Sequence, residues 1–170
     1  MVAFLARGLY RSRQFFRSVA ASIDKEEADE VRRRLTPEQQ CLFFAMTARD
    51  QRHCYDVFKT LSSQRGSDAD LLAAALLHDV GKGRIRLWHR VAYVVLGAIS
   101  PSLLRKAARD DGAAWRQACA ACIDHSRRGG TMLEQVGAPA AIVQLVLYHE
   151  RAKDCPDQRA VRLQAADESC

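Results

Sequence analysis

An apolar helix that ends in a His-Asp pair is the feature that most constrains what this chain can fold into. Residues 71–77 are all Ala or Leu, which are strong helix formers, and Gly81 just beyond them is a usual stop signal. A helix this apolar must be buried. It therefore delivers the carboxylate of Asp79 to the edge of a core, where an unpaired charge is costly. We expect a positive partner beside Asp79, and a metal ion is the simplest candidate.

The geometry of the His-Asp pair calls for a break in this helix. His78 and Asp79 are about 100° apart around a regular helix, so an unbroken helix would not aim both side chains at one point. Gly81 and Gly83 flank Lys82 directly after the pair and make convergence easier. The sequence thus predicts that the helix carries the pair to its end and that the Gly-Lys-Gly turn stops it.

Further candidate ligands recur along the chain, each in a segment that is predicted to be helical. A helical histidine with apolar neighbours is more often a core residue than a ligand, so the metal prediction depends on the whole set. A late aspartate is usually solvated, but Leu163, Ala165 and Ala166 put Asp167 on a buried segment. In chain order, the candidate metal ligands are His53, His78, Asp79, His125, His149 and Asp167.

The order H…HD…H…H…D, with an HDxGK motif at residues 78–82, resembles the two-metal branch of the HD-domain metal-dependent phosphohydrolases. The resemblance runs from about residue 50 to residue 168. Each ligand-bearing segment is predicted to be helical, so no sheet is required. The expected fold class is all-α, a bundle of about seven to nine helices with the site between core helices.

This resemblance implies two divalent metal ions that share the carboxylate of Asp79. The first would be held by His53, His78, Asp79 and Asp167, and the second by His125 and His149. Four imidazoles and two carboxylates suit iron or manganese best, with zinc, cobalt and nickel as alternatives. Two metals about 3.5–4 Å apart can share a water and generate hydroxide at neutral pH for attack on phosphorus.

Asp79 and Lys82 are the candidate catalytic residues. Lys82 resembles the phosphate-contacting lysine of the family, a point-charge donor to a phosphate oxygen. Alternatively it is a helix C-terminal lysine that satisfies the helix dipole, and the two roles are compatible. The implied function is hydrolysis of a nucleotide or another small phosphorylated substrate. The alternative is a non-catalytic metal-binding or nucleotide-sensing module.

The substrate cannot be carried over from either of two related branches. The HD-GYP cyclic-di-GMP phosphodiesterases carry a His-His-Glu triplet and a downstream Gly-Tyr-Pro loop. This chain has Tyr148-His149-Glu150 and no Gly-Tyr-Pro, which disfavours cyclic-di-GMP. The short spacing from His149 to Asp167 looks more like the HD-domain dinucleoside tetraphosphatases, but the long segment 84–112 departs from those as well.

Three regions are expected along the chain. Residues 1–35 are predicted to be a basic amphipathic helical segment packed on the domain, and residues 36–170 the HD domain. The separation of 46 positions from Asp79 to His125 exceeds what the family usually allots, so 84–112 is predicted to be a helical insertion. It would roof the site or mediate self-association. His89, in this insertion, is expected to be an ordinary surface or interface histidine.

Smaller features complete the expectations. Arginines without acidic residues in 1–22 would also suit an anionic membrane surface, which is less favoured, or nucleic acid, which is ranked last for want of a reading motif. The glycines at 129 and 130 are expected to break the chain between two helices. Cys119 and Cys122 form a CxxC spacing but are predicted to be packing thiols.

Bulk composition bounds the partners and the compartment. A net charge of +6 suggests an anionic partner: a phosphorylated substrate, nucleic acid or a membrane surface. The six cysteines form no compact disulfide pattern, and no uncharged run is long enough to span a bilayer. No signal peptide is evident either, so the expected location is the cytoplasm.

Overall fold

The computed structural model describes residues 22–83, 85, 87–109 and 111–170. Within these ranges the chain forms nine α-helices and no strand, which confirms the all-α bundle. The helices are α1 (Lys25–Arg34), α2 (Pro37–Ala45), α3 (Ala48–Ser62), α4 (Ala69–Leu77), α5 (Leu87–Ile99), α6 (Pro101–Ala107), α7 (Ala114–Gln135), α8 (Ala140–Tyr148) and α9 (Arg159–Ser169). Two 3-10 helices, Val80–Lys82 and His149–Asp154, follow α4 and α8.

Several helices begin where a capping side chain predicts it. The side chain of Thr36 accepts a hydrogen bond from the backbone N–H of Gln39. The side-chain oxygen of Gln39 in turn accepts a hydrogen bond from the backbone N–H of Thr36. This reciprocal pair, a capping box, satisfies two donors that a helix start would otherwise leave unpaired. Asp68 caps α4 in the simpler way, by accepting from the N–H of Leu71.

Helix α4 is the centre of the bundle. All seven residues from 71 to 77 are buried, as the sequence predicts for an all-apolar helix. The helix contacts α1, α2, α3, α8 and α9. Because α4 is packed against five helices, its C-terminal end is held in a fixed position. His78 and Asp79 lie at that end.

The expected break at residues 129 and 130 is wrong, because α7 runs through both glycines. These glycines serve close packing instead. A Cβ atom on Gly81 would lie 2.0 Å from the carbonyl oxygen of His125, and one on Gly129 would lie 3.2 Å from Cγ1 of Val146. The first 3-10 turn and α7 therefore approach one another at backbone distance, and the side chains of α8 pack closely on the glycines of α7. This packing outweighs the low helix propensity of glycine.

The segment 84–112 is helical where it is described, and it supplies α5 and α6. Helix α5 packs on α7 and α6, where Ile85 joins Ala118, Ala121 and Cys122 in a small apolar cluster separate from the main core. The opposite side of α5 is apolar but exposed, with Val94 64% and Ile99 71% exposed.

Three other expectations can be placed against the structure. Cys119 and Cys122 are buried, free thiols, as predicted, and Cys155 is buried too. Among the helices of the described ranges, none is both long enough and apolar enough to cross a membrane. The structure does not describe residues 1–21, which make up nearly all of the amphipathic segment proposed for 1–22. The packing of that segment and the boundaries of the three regions therefore stay predictions.

Candidate metal centre

The six candidate ligands come from five helical elements and meet at one place. Four of the side chains are buried, while those of His53 and Asp167 are about a quarter exposed. His53 lies on α3, His78 and Asp79 follow α4, His125 lies on α7, His149 starts the second 3-10 helix, and Asp167 lies on α9.

The chain bends at Asp79, which lets two consecutive side chains face one site. Helix α4 ends at Leu77, and His78 still has helical backbone angles. Asp79 departs from them, with φ −100° and ψ 3°, and a single 3-10 turn follows. The predicted break is thus present, and it begins two residues before Gly81. Helix α8 ends in the same manner, with Tyr148 at φ −109° and ψ 5° before His149.

Three of the four histidines are oriented by their own helices. In each, Nδ1–H donates to the backbone carbonyl three residues earlier. The three bonds are His78 to Ala75 at 2.9 Å, His125 to Cys122 at 2.8 Å and His149 to Val146 at 2.7 Å. A carbonyl can only accept, so the proton is assigned to Nδ1 and the Nε2 lone pair faces the site. This is the arrangement by which proteins present imidazole to a metal.

The first cluster comprises His53, His78 and Asp79, whose candidate ligand atoms all lie within 4.8 Å of one another. Asp167 lies beside it, with its Oδ1 2.8 Å from Nε2 of His53 and 3.5 Å from Nε2 of His78. This grouping corresponds to the ligand set predicted for a first metal ion.

The second cluster comprises Asp79, His125 and His149, again with ligand atoms within 4.8 Å. Nε2 of His125 lies 3.1 Å from Nε2 of His149 and 3.5 Å from Oδ1 of Asp79. Since Nδ1 is the donor in both histidines, their neutral forms point two lone pairs at each other. A cation between them removes that conflict. Asp79 belongs to both clusters, as a bridging carboxylate would.

Two buried polar atoms at this site lack a hydrogen-bond partner among the described residues. They are Nε2 of His78 and Oδ1 of Asp79, in side chains that are at most 1% exposed. Buried polar atoms in folded proteins are nearly always paired, so an orphaned lone-pair donor in each cluster calls for a ligand. The residues present therefore fit a divalent metal.

The charges of the site are also arranged for a cation. Burial raises the pKa of Asp79, but Lys82 and the neighbouring histidines outweigh it and hold that pKa well below its usual range. Burial also raises the pKa of Asp167, but the hydrogen bond with His53 and the nearby imidazole of His78 outweigh burial and hold that pKa far below its usual range. Both carboxylates are therefore anionic.

The histidines at the two clusters differ in protonation. Burial, followed by the charge of His78, lowers the pKa of His149 to about 3 and keeps its imidazole neutral. Burial also works to lower the pKa of His78, but Cys54 and the carboxylates of Asp79 and Asp167 raise it well above its ordinary value.

Lys82 lies at the edge of this centre. Its Nζ contacts Oδ2 of Asp79, while Oδ1 of the same carboxylate faces the histidines. The ammonium group is partly exposed, with 22% of the side chain accessible. It is therefore placed to reach an anion that approaches the centre, and its phosphate role stays a prediction.

Of the two alternatives expected for His89, the surface position is wrong, because its side chain is only 6% exposed. It lies on α5, and its side chain faces α7 rather than solvent. His89 is four residues from Tyr93, which packs against the small apolar cluster on α7. The interface position stays a prediction.

A model of the HD domain matches residues 51–169, which is more than half of the chain. The chain belongs to the HD-domain family. All six candidate ligands and the whole insertion fall inside the matched range. The searches of curated proteins and of solved structures found no significant match. HD domains bind divalent metals and form a superfamily of metal-dependent phosphohydrolases, and the two clusters of this HD domain could hold such ions.

Proposed function

We propose that this HD-domain protein is a metal-dependent phosphohydrolase or phosphodiesterase that acts on a nucleotide or another small phosphorylated substrate. The observation that carries the proposal is the position of Asp79, a buried carboxylate common to two clusters of histidine nitrogen and carboxylate oxygen atoms that face one site. A carboxylate shared by two ligand clusters suits a pair of metal ions held close together, which is the arrangement that two-metal phosphatases and nucleases use.

The chain's own residues would divide the work. His53, His78 and Asp167 would complete one half of the centre with Asp79, and His125 and His149 the other. Nitrogen and carboxylate donors without thiolates suit manganese or iron, with zinc, cobalt or nickel as alternatives. Bound as a pair, such ions lower the pKa of a shared water and neutralise charge on a phosphate. Lys82 would hold a phosphate oxygen by a charge-assisted hydrogen bond.

The test is hydrolysis of a substrate panel by the metal-loaded, full-length protein. The panel holds nucleoside mono-, di- and triphosphates, dinucleoside tetraphosphates and cyclic dinucleotides, each with Mn²⁺ or with Fe²⁺ under anaerobic conditions. Metal content is measured on the same samples. We expect phosphate or nucleotide release with at least one member and about two ions per chain.

Variants separate the centre from general damage to the fold. Asp79→Ala should abolish turnover and reduce the bound metal, while Lys82→Ala should weaken turnover and leave the metal in place. Asp154→Ala and Lys153→Ala remove the same side-chain types from the exposed surface and should change neither. Two bound ions without turnover on any substrate would favour the alternative, a non-catalytic metal-binding or nucleotide-sensing module.

A further inference from the structure

A cavity of about 500 Å³ lies between the insertion and α7, outside the six candidate ligands. That volume is in the range of pockets that hold small organic molecules, about 300–1,000 Å³, and exceeds what one phosphate needs. The polar side chains that line it are Lys82, Trp88, His89, Gln117 and Arg128, with Ile85 and three alanines of α7 between them.

The cavity adjoins the candidate metal centre along α7. Its lining residues on that helix recur every three or four positions, at 114, 117, 118, 121 and 128, which defines one face of a helix. His125 falls on the same face. On the other side, Lys82 lines the cavity and also contacts Asp79. A ligand in the cavity would therefore extend directly from a group held at the metal centre.

His89 points to a ligand independently of that geometry. Its side chain is more than nine-tenths buried and lines the cavity, and both ring nitrogens lack a hydrogen-bond partner among the residues the structure describes. A buried imidazole that makes neither of its two hydrogen bonds is costly, so a group in the cavity is expected to make them. The neutral ring offers one donor and one acceptor.

The charged and apolar side chains that line the cavity limit the chemical class of ligand that it can bind. Lys82 and Arg128 are its charged side chains, and no carboxylate is among the described residues that line it, so the ligand is anionic. Arg128 also lies near Asp124, with 3.8 Å between Nε and Oδ2. The amide of Gln117 donates to the Gly112 carbonyl at 2.9 Å and keeps its oxygen as an acceptor. Ile85 and the alanines add an apolar wall.

We infer that this cavity, built by the insertion, binds the nucleoside part of a nucleoside phosphate, with His89 as the residue that selects the base. A planar base presents donors and acceptors on one edge, which match the imidazole and the Gln117 oxygen, and apolar faces, which match the alanine wall. Lys82 and Arg128 would then contact the phosphate of the same ligand. The inference rests on the proposed function for the position of the phosphate at the metal centre.

The experiment measures binding without turnover. Isothermal titration of the full-length chain in EDTA compares the four common nucleoside 5′-monophosphates with ribose 5-phosphate and inorganic phosphate. At least one nucleoside monophosphate should bind at least about tenfold more tightly than ribose 5-phosphate, because only it can reach His89. If none does so, the cavity is not a nucleoside site.

Variants then test where the base binds. His89→Phe keeps a planar ring without its nitrogens and should remove the preference over ribose 5-phosphate, while His89→Gln should restore part of it. Ala118→Leu fills the cavity from α7 and should also remove the preference over ribose 5-phosphate. It therefore tests the site independently if His89→Phe folds poorly. Val94→Ala, on the exposed side of α5, is the matched control. A preference that survives both His89→Phe and Ala118→Leu overturns the assignment.

A hydrolysis assay with the tightest-binding nucleotide keeps the two proposals apart. A His89-dependent preference without metal-dependent turnover would support the nucleoside site and contradict the proposed hydrolase. Turnover whose KM and base preference are unchanged in His89→Phe would support the hydrolase and contradict the nucleoside site. If both proposals hold, His89→Phe should raise KM about tenfold with little change in kcat.

Discussion

The candidate metal centre and the insertion meet on one helix, α7, and they are packed in opposite ways. Around the centre, α4 is buried on all sides and the His78 and His149 side chains are at most 1% exposed. In the insertion, α5 buries one side only and leaves Val94 and Ile99 in solvent. The centre is thus positioned by the fold itself, whereas the insertion offers surfaces and a cavity that other molecules can occupy.

The largest expected effect is at the closest contact of the core. In Gly81→Ala the new Cβ would lie 2.0 Å from a carbonyl oxygen and 2.5 Å from a backbone nitrogen, neither of which can rotate away. We expect a loss of at least about 3 kcal/mol in the free energy of unfolding, measured by urea titration. A loss below about 1 kcal/mol would mean that α7 and the turn can separate. The centre would then not be more rigidly packed than the insertion.

Metal binding should increase the free energy of unfolding by about as much as Gly81→Ala decreases it. A cation that binds only the folded chain contributes about 2.7 kcal/mol at a concentration of 100 times its dissociation constant. For a chain of this size that raises Tm by roughly 5–10 °C. Thermal unfolding with Mn²⁺ and with EDTA measures the shift, and Asp79→Ala should abolish it. An equal shift in Asp79→Ala would place the ion elsewhere.

Self-association through 84–112 remains a proposal, and the exposed apolar side of α5 gives it a definite surface. Val94, Val95 and Ile99 are uncharged and lie on that side, so a second copy of the same surface would bury them. Ile99→Lys should weaken association at least about tenfold in sedimentation velocity. Lys106→Ala, an exposed change on α6, is the control. A chain that stays monomeric at high concentration would contradict the proposal.

The smallest expected effect has the opposite sign. Gly130 is inside α7, and a Cβ there would meet Leu147 at an ordinary contact distance of 3.6 Å. Gly130→Ala should therefore stabilise the protein by about 0.5–1 kcal/mol through helix propensity. Set beside Gly81→Ala in the same urea experiment, it tests whether the space around each glycine, rather than the residue type, decides the outcome.

Much of the centre could be predicted from the sequence, because its ligands sit at positions that helix patterns fix. The order of the histidines and aspartates pointed to six side chains that the structure brings to one place, and their role as metal ligands stays a prediction. The helix break was expected at the glycines after the pair, and it begins at Asp79. The glycines of α7 misled, since glycine serves both as a helix breaker and as a point of close approach, and only the neighbouring helix decides between them.

The environment of His89 could not be predicted in the same way. Its burial depends on which side of α5 faces α7, and α5 is apolar on both sides. Hydrophobic periodicity identifies a buried face only where a polar face contrasts with it. The cavity depends in turn on small residues at 114, 118 and 121, which in a sequence are typical of any helix.

The shared carboxylate of Asp79 also constrains how such a protein can diverge. Replacement of His53 or of His149 in a lineage removes a donor from one cluster and leaves the other complete. Replacement of Asp79 removes a donor from both clusters at once. A change at one of these histidines can therefore alter one cluster and spare the other, whereas a change at Asp79 alters both.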